Sequence, residues 1–432
     1  MFYRQSKTIV VFVLLLALAF INSPIEVHAQ DSSSFHKVDS VKPVDVGDIW
    51  RSIFKNKTEQ QKRPKKADMA ILPTVSYSPS FGLLLGGSID AGTTFGKKQK
   101  TIYSTFGLSA SVTTKGDVSA TIRHNVFTPA NRWNLQGNWQ ITNMGIVDYG
   151  IGTGSGGPGY QSKGIALNAL PTKNSDSSFP IRYNLLRIFE KIYRQAGENF
   201  FIGGGLSFDM FWNILDERHG EGFSTPHSRY SDRNGFDTMK YSANGFLFAL
   251  QYNRREHPVR SYGGFYADVN ILFNQKWLGS SKNSTSLMYD LRKYFSLSKK
   301  NPENVIAFWH WASYKLGGSI PYLEMPGTAH DTYGRSGRGY TFGRFKGPSF
   351  AYFETEWRFP ITRNKLISGV CFYNLQTASD DGKKKVFEYW EMGGGFGLRI
   401  LFVKANRTNL CVDFAQGNYN SKGLFFGTTE VF

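Results

Sequence analysis

The sequence has 432 residues and carries 51 Lys and Arg against 33 Asp and Glu, a formal net charge of +18. Aromatic residues make up 16% of it, with 36 Phe, 22 Tyr and 45 Gly. Beyond the N-terminal segment no stretch approaches the ~18 unbroken apolar residues of a spanning helix. That excludes a helical membrane bundle and leaves two classes: a membrane β-barrel, whose strands are apolar only at alternate positions, or a secreted soluble sandwich with shorter strands and no outward aromatic face.

Residues 1–29 read as a secretory signal. Arg4 and Lys7 precede the apolar run TIVVFVLLLALAFI, and Val27-His28-Ala29 offers a small-residue cleavage site. In an exported chain the basic surplus suits acidic membrane partners, lipopolysaccharide or phospholipid headgroups, rather than nucleic acid. Residues 30–70 are expected to be a polar periplasmic segment with one short helix. There Ile49, Trp50, Ile53 and Phe54 make an apolar stripe, with Asp45 or Asp48 as N-cap, and the basic linker KRPKK (Lys62–Lys66) follows. Such a helix could plug a barrel, lie on the inner leaflet or bind a partner.

From residue 71 to 432 the chain alternates between strand-like segments and turns, from LPTVSYSP through to LFFGTTEVF. Sixteen segments can be marked out, which gives roughly 22 residues per strand and connection, the spacing of an outer-membrane barrel. The short connections TPANR, AGEN, KKNPEN, TRNK and KANRT suit a periplasmic side. Long ones at about 146–182, 215–242, 317–347 and 380–390 suit an extracellular side. The fold expected is all-β, a 16-stranded antiparallel transmembrane barrel.

The twelfth segment fixes the faces. Phe353, Thr355, Trp357 and Phe359 alternate with Tyr352, Glu354, Glu356 and Arg358. A basic residue on the lipid face costs ~2–4 kcal/mol at mid-bilayer, so the charged set faces the lumen. By the same rule Phe396, Leu398, Ile400 and Phe402 face lipid and Arg399 faces inward. Leu410, Val412 and Phe414 face lipid, with Cys411 and Asp413 inward. Cys371 and Cys411 then lie on opposite faces and are not expected to pair.

Chemistry-bearing motifs are scarce. GTGSGG (Gly152–Gly157) matches G-x-G-x-x-G but opens no helix, so it reads as a flexible loop. The eight histidines show no metal spacing. No catalytic, cofactor or metal site is expected, and His310 in FWHWASY reads as an interfacial or lumen residue.

Four motifs and the chain end resemble one family, the BamA/TamA-type outer-membrane assembly barrels, or bacterial surface antigen family. NRREHPVRSYGGF resembles its turn motif, with Asn253, Arg255, Pro258 and Gly263 at the motif positions and Asn253 in place of Asp. GRGYTFGRF resembles the motif of its sixth extracellular loop, with Arg338, Gly339 and Tyr340 matching. TEWRFPI and GVCFYNLQ resemble the strands that follow, with Asn374 where Asp is usual. GLFFGTTEVF resembles the C-terminal assembly signal, carried by Phe426 and Phe432.

The resemblance implies a sixth loop folded back into the lumen, with Arg338 docked on the barrel wall. Glycines on either side let the backbone turn sharply, and a guanidinium inside a narrow lumen needs a charged acceptor. With Asn374 uncharged, the inward Glu356 is the expected partner and Glu354 the second choice. Phe372 should pack on the loop, and Asn374 should add a hydrogen bond. The barrel should close by pairing the first strand, near Leu72–Ser78, with the last, Leu424–Phe432, across a seam poor in hydrogen bonds because Pro73 and Pro79 lack donors. The family usually carries POTRA modules to receive clients, and none is found here. Three readings of function stay open. One is assistance to outer-membrane protein assembly or translocation, with client or partner proteins. The others are a narrow or plugged channel and a lipid-facing enzyme.

Overall fold

The computed structural model describes residues 42–53, 68–78, 82–97, 100–154, 161–162, 164–168, 179–219, 224–382, 384–428 and 430–432. The expected signal peptide, Phe54 and the basic linker lie outside them. A helix, α1 (Val46–Ile53), precedes one sheet of seventeen strands. In chain order these are β1 (Asp68–Ser78), β2 (Gly82–Thr93), β3 (Ser104–Thr113), β4 (Val118–Phe127), β5 (Trp133–Asp148), β6 (Ala166–Leu167), β7 (Phe179–Gly197), β8 (Phe200–Asp216) and β9 (Tyr241–Asn253). Then come β10 (Gly264–Asn274), β11 (Ser284–Ser296), β12 (Val305–Gly318), β13 (Ser349–Pro360), β14 (Ile367–Ala378), β15 (Glu391–Val403), β16 (Thr408–Gly417) and β17 (Lys422–Gly427). A second helix, α2 (Pro226–Asn234), lies between β8 and β9. Neighbours in sequence pair antiparallel throughout, with β5 pairing β7 past the two-residue β6. The sheet thus has one strand more than the sixteen expected, and the addition comes from inside the connection 149–178.

Period-two alternation sorts the side chains. On β13 the residues Tyr352, Glu354, Glu356 and Arg358 are buried while Thr355 and Trp357 are exposed. On β15 and β16 Phe396, Leu398 and Val412 are exposed while Arg399, Cys411 and Asp413 are buried. Buried charge and exposed aromatic rings are the inverse of a soluble protein and the pattern of a barrel with a polar interior. Cys371 is exposed, Cys411 is buried, and neither is in a disulfide.

The ends of the sheet do not close as expected. Among the described residues no ladder joins β1 to β17. β1 pairs only with β2, and β17 pairs with β16 and, in parallel, with β6. The backbone N–H of Asn168 donates to the Leu424 carbonyl at 2.8 Å, and the Phe426 N–H donates to Asn168 Oδ1 at 2.6 Å. Thr428 Oγ1 donates to Asp90 Oδ2 on β2 at 2.6 Å. β17 ends at Gly427, and the last residues turn into the lumen. Phe432 is 5% exposed and stacks on Trp309 at 5.3 Å, beside Tyr294 at 6.2 Å. Phe426, 54% exposed, stays on the outer face. The two aromatics assigned to one terminal signal therefore lie on opposite sides of the wall, because a strand can carry both outward only if it continues in register to its end.

The long-loop end of the barrel carries an apolar cap. β5, β7 and β8 run 16, 19 and 17 residues, well beyond the ~9–11 that cross a bilayer. Their tops form, with α2 and residues 320–325, an apolar cluster around Tyr230, Phe236, Tyr241 and Tyr322. α2 is capped at its start by Thr225, whose Oγ1 accepts from the Ser228 N–H, and at its end by Gly235 at φ +63°. At the short-turn end α1 begins with a reciprocal cap between Asp45 and Asp48. Asp48 pairs with Lys404 and Arg51; the Lys404 ammonium holds its carboxyl well below the usual range. The helix sits against the turns after β13 and β15, outside the lumen, with Trp50 and Ile53 65% and 66% exposed. Its eight described residues do not plug the barrel.

Candidate functional site

The connection between β12 and β13 (319–348) folds inward. Tyr322 donates to Asp148 Oδ2 at 2.8 Å, and Lys346 Nζ lies 2.7 Å from Asp148 Oδ1, so both ends of the loop are tied to the top of β5. Between them the chain descends to Gly337-Arg338-Gly339-Tyr340. Gly337 and Gly339 take φ of +77° and +104°. A Cβ on Gly337 would lie 2.4 Å from Thr328 Cγ2, and one on Gly339 3.0 Å from the Gln416 backbone. Only glycine meets both the backbone sign and the spacing.

This turn delivers Arg338, 2% exposed, onto the wall. Its Nη2 donates to Glu354 Oε1 at 2.6 Å and to Glu356 Oε1, and its Nη1 donates to Asp413 Oδ2 at 2.8 Å. The Phe372 ring lies against the guanidinium, 3.4 Å from centroid to Cζ. Asn374 Nδ2 donates to the Arg338 backbone carbonyl at 3.0 Å. Three carboxylates, an aromatic face and an amide thus converge on one residue. The structure brings Glu354, Glu356, Phe372 and Asn374 together around Arg338. It adds Asp413, which the sequence reading had turned inward but not brought to the loop, and it places the Asn374 bond on the backbone rather than the guanidinium.

Space for this comes from β15. A Cβ on Gly393 would sit 3.0 Å from the Arg338 carbonyl oxygen, and one on Gly397 would sit 1.8 Å from Asp413 Oδ1. Tyr340 completes the dock. Its hydroxyl donates to the Met392 carbonyl and accepts from the Asn418 N–H at 2.8 Å, and its ring occupies the place of a side chain at Gly417.

The network continues into the chain end. Arg399 bridges Asp413 and Glu430, its Nε 2.8 Å from Glu430 Oε2. Glu430 also meets Arg260 at 3.3 Å and accepts from Asn409 Nδ2 at 2.9 Å. Arg358 joins Glu356 at 2.6 Å and donates to the Phe432 carbonyl at 2.9 Å. Arg335 donates to the Glu430 carbonyl. Buried ions survive only when paired and hydrogen-bonded, and here loop, wall and last residues satisfy one another. No group of residues that could hold a metal ion occurs among the described residues.

The turn between β9 and β10, which lends Arg260 to this network, carries a further cluster at the short-turn end. Arg255 Nε donates to Asn253 Oδ1 at 3.1 Å and its guanidinium covers the Tyr266 ring at 4.1 Å. Glu256 pairs with Arg407 at 2.6 Å. Burial pushes the Glu256 carboxyl up, but Arg407 outweighs it and holds the group below its ordinary value. Pro258 borders the lumen cavity. Gly263 has open space where a Cβ would lie, whereas Gly264, at φ +103°, would place one 2.1 Å from the Arg254 carbonyl oxygen. The glycine this turn requires is Gly264, one residue past the motif position.

No family model matches the sequence, and no curated protein matches it. Solved structures do. BamA from Haemophilus ducreyi, in a form lacking POTRA domains 1–3, is similar over 85% of this chain and 70% of its own, at 12% identity and a TM-score of 0.50. CdiB from Acinetobacter baumannii is similar over 82% of this chain and 56% of its own, at 13% identity and a TM-score of 0.46. At such identities the likeness is one of fold, and the fold is that of a BamA-like outer-membrane β-barrel.

Proposed function

We propose that this chain is an outer-membrane barrel that assists the assembly or translocation of other outer-membrane proteins, without catalysis, its clients being unfolded β-barrel polypeptides and its surroundings lipid and lipopolysaccharide. The observation that carries this reading is the seam. Among the described residues β1 and β17 share no ladder, and the edge of β17 is met by the two residues of β6 and by Asn168. In lipid, unpaired backbone N–H and C=O groups cost several kcal/mol each. An incoming strand that supplies the missing partners is therefore bound by main-chain hydrogen bonds whatever its sequence. The lumen loop supports the reading from the other side. Arg338 ties the loop to β13 and β16, and through Arg399 and Glu430 to the residues that follow β17, so the wall stays rigid while its edge stays free.

Depleting the protein should lower the folded abundance of other outer-membrane barrels within a few generations. A channel would leave them unchanged and would conduct in planar bilayers. With loop and chain end filling one side of the lumen and an apolar cap across its top, this barrel should show no steady conductance. Steady conductance with undiminished outer-membrane proteins would overturn the proposal.

A further inference from the structure

Not every charge in the lumen belongs to the docking network. Between the loop tip (331–335) and the facing wall lies a cavity of about 630 Å³, the size of sites for small organic ligands. Most charges that line it are already paired: Arg187 with Asp209 and Glu324, Lys191 with Asp268, Arg292 with Asp290. Two arginines beside the loop tip are different. Arg123 and Arg335 both face the Tyr333 ring, at 5.9 and 5.4 Å from its centroid, and neither is within 4.0 Å of a carboxylate among the described residues. Arg123 Nε is buried with no hydrogen-bond partner. Arg335 is met by the Glu430 backbone carbonyl, which brings no charge.

The acids nearby are otherwise engaged. Asp331 accepts the backbone N–H groups of Tyr333, Arg335 and Ser336. Asp90 lies across Gly107 from Arg123, and its Oδ2 takes the Thr428 hydroxyl. The remaining lining is short of donors. Asn138, the register partner of Arg123, spends its Nδ2 on the Thr332 carbonyl and leaves Oδ1 buried and unpartnered. Asn270 and Asn274, which also line the cavity, leave their Oδ1 atoms likewise.

We propose that this cavity binds a small polyhydroxylated anion, a phosphorylated or carboxylated sugar. Its charged group lies against Arg123 and Arg335 beside Tyr333, and its hydroxyls donate to Asn138. Guanidinium groups that make no direct ion pair favour an anion. Buried acceptors without donors favour hydroxyls, and the two requirements together select against either simple salts or neutral sugars. The site does not depend on the seam and can be tested apart from it.

The full chain, purified in detergent micelles and shown to be folded by its shifted gel mobility without heating, is titrated calorimetrically. The probes are glucose 6-phosphate, glucuronate, glucose and inorganic phosphate. At least one charged sugar should bind with a Kd below ~1 mM, and glucose and phosphate at least ~10-fold more weakly. Arg123→Gln and Arg335→Gln should each weaken the charged sugar at least ~10-fold, and Asn138→Ala should weaken it while leaving phosphate unchanged. A preference for the phosphate or the carboxylate arm identifies the group recognised. No binding by any probe, a cavity that holds water alone, overturns the proposal. So does unaltered affinity in both arginine variants, or phosphate binding as tightly as the charged sugars.

Discussion

Replacing Arg338 with alanine removes a guanidinium that is 2% exposed and leaves three buried carboxylates without it. They are not equally abandoned. Glu356 keeps Arg358 and Asp413 keeps Arg399, whereas Glu354 is left with only the Tyr352 hydroxyl at 2.5 Å. Breaking a buried ion pair costs about 3–5 kcal/mol, and with two of the three acids still partnered the lower end applies, with loss of the Phe372 contact adding to it. At 1.4 kcal/mol per tenfold, about 3 kcal/mol raises the population of the undocked loop roughly a hundredfold. The strands hold their own ladders, so the barrel should still form and keep its unheated gel mobility. Limited proteolysis of the folded protein reads the loop, because cleavage between 328 and 346 requires it to leave the wall. Arg338→Lys should recover only part of the protection, since one ammonium cannot span acceptors on β13 and β16 as a planar fork does. Cleavage of the alanine variant at the wild-type rate would refute the reasoning.

Other predictions rest on single contacts. Gly397→Ala sets a methyl 1.8 Å from Asp413 Oδ1 and should raise loop cleavage in the same assay by displacing that carboxylate, though it touches no residue of the loop. Gly264→Ala combines φ +103° with a 2.1 Å approach to the Arg254 carbonyl, and should cost at least ~1–3 kcal/mol, seen as earlier loss of unheated mobility on a temperature series. Glu430→Gln should free the last residues, making them accessible to carboxypeptidase, because it removes the negative charge that Arg399 and Arg260 share. The depressed Glu256 carboxyl gives stability that is complete above the unfolded value of ~4.3 and is lost as pH falls through the lower folded value. A thermal series should therefore show an acid-dependent loss below about pH 4 that Glu256→Gln reduces.

Much of the architecture was legible because a barrel wall repeats every two residues. Once Glu354, Glu356 and Arg358 were assigned inward on cost, the faces of the β15 and β16 segments followed. The partners of Arg338 on β13 were readable for the same reason. Asp413 was not, because alternation tells which face a residue occupies and not how far around the wall it can reach. Asp413 reaches Arg338 past β15 because Gly397 carries no side chain, while Gly393 makes room for the Arg338 backbone, and the run GGGFG was the signal in the sequence. The inward turn of the last residues was hidden by LFFGTTEVF, which looks like one more strand; Gly427 and the buried Glu430 mark where it stops. β6 had no signal, since two residues inside a glycine-rich connection carry no periodicity. Gly263 and Gly264 are adjacent, and only backbone geometry separates them.

The seam is the working part of the proposed function, and it can be locked. In a Cys371→Ser, Cys411→Ala background, cysteines at Thr428 and Asp90, whose side chains meet at 2.6 Å, can be joined by a short reducible cross-linker, fixing the end of β17 to β2. The measurement is the folded abundance of other outer-membrane barrels in cells that depend on this variant. The account predicts that cross-linking lowers it to the level of depletion and that reduction restores it. Undiminished abundance with the seam locked would contradict the account.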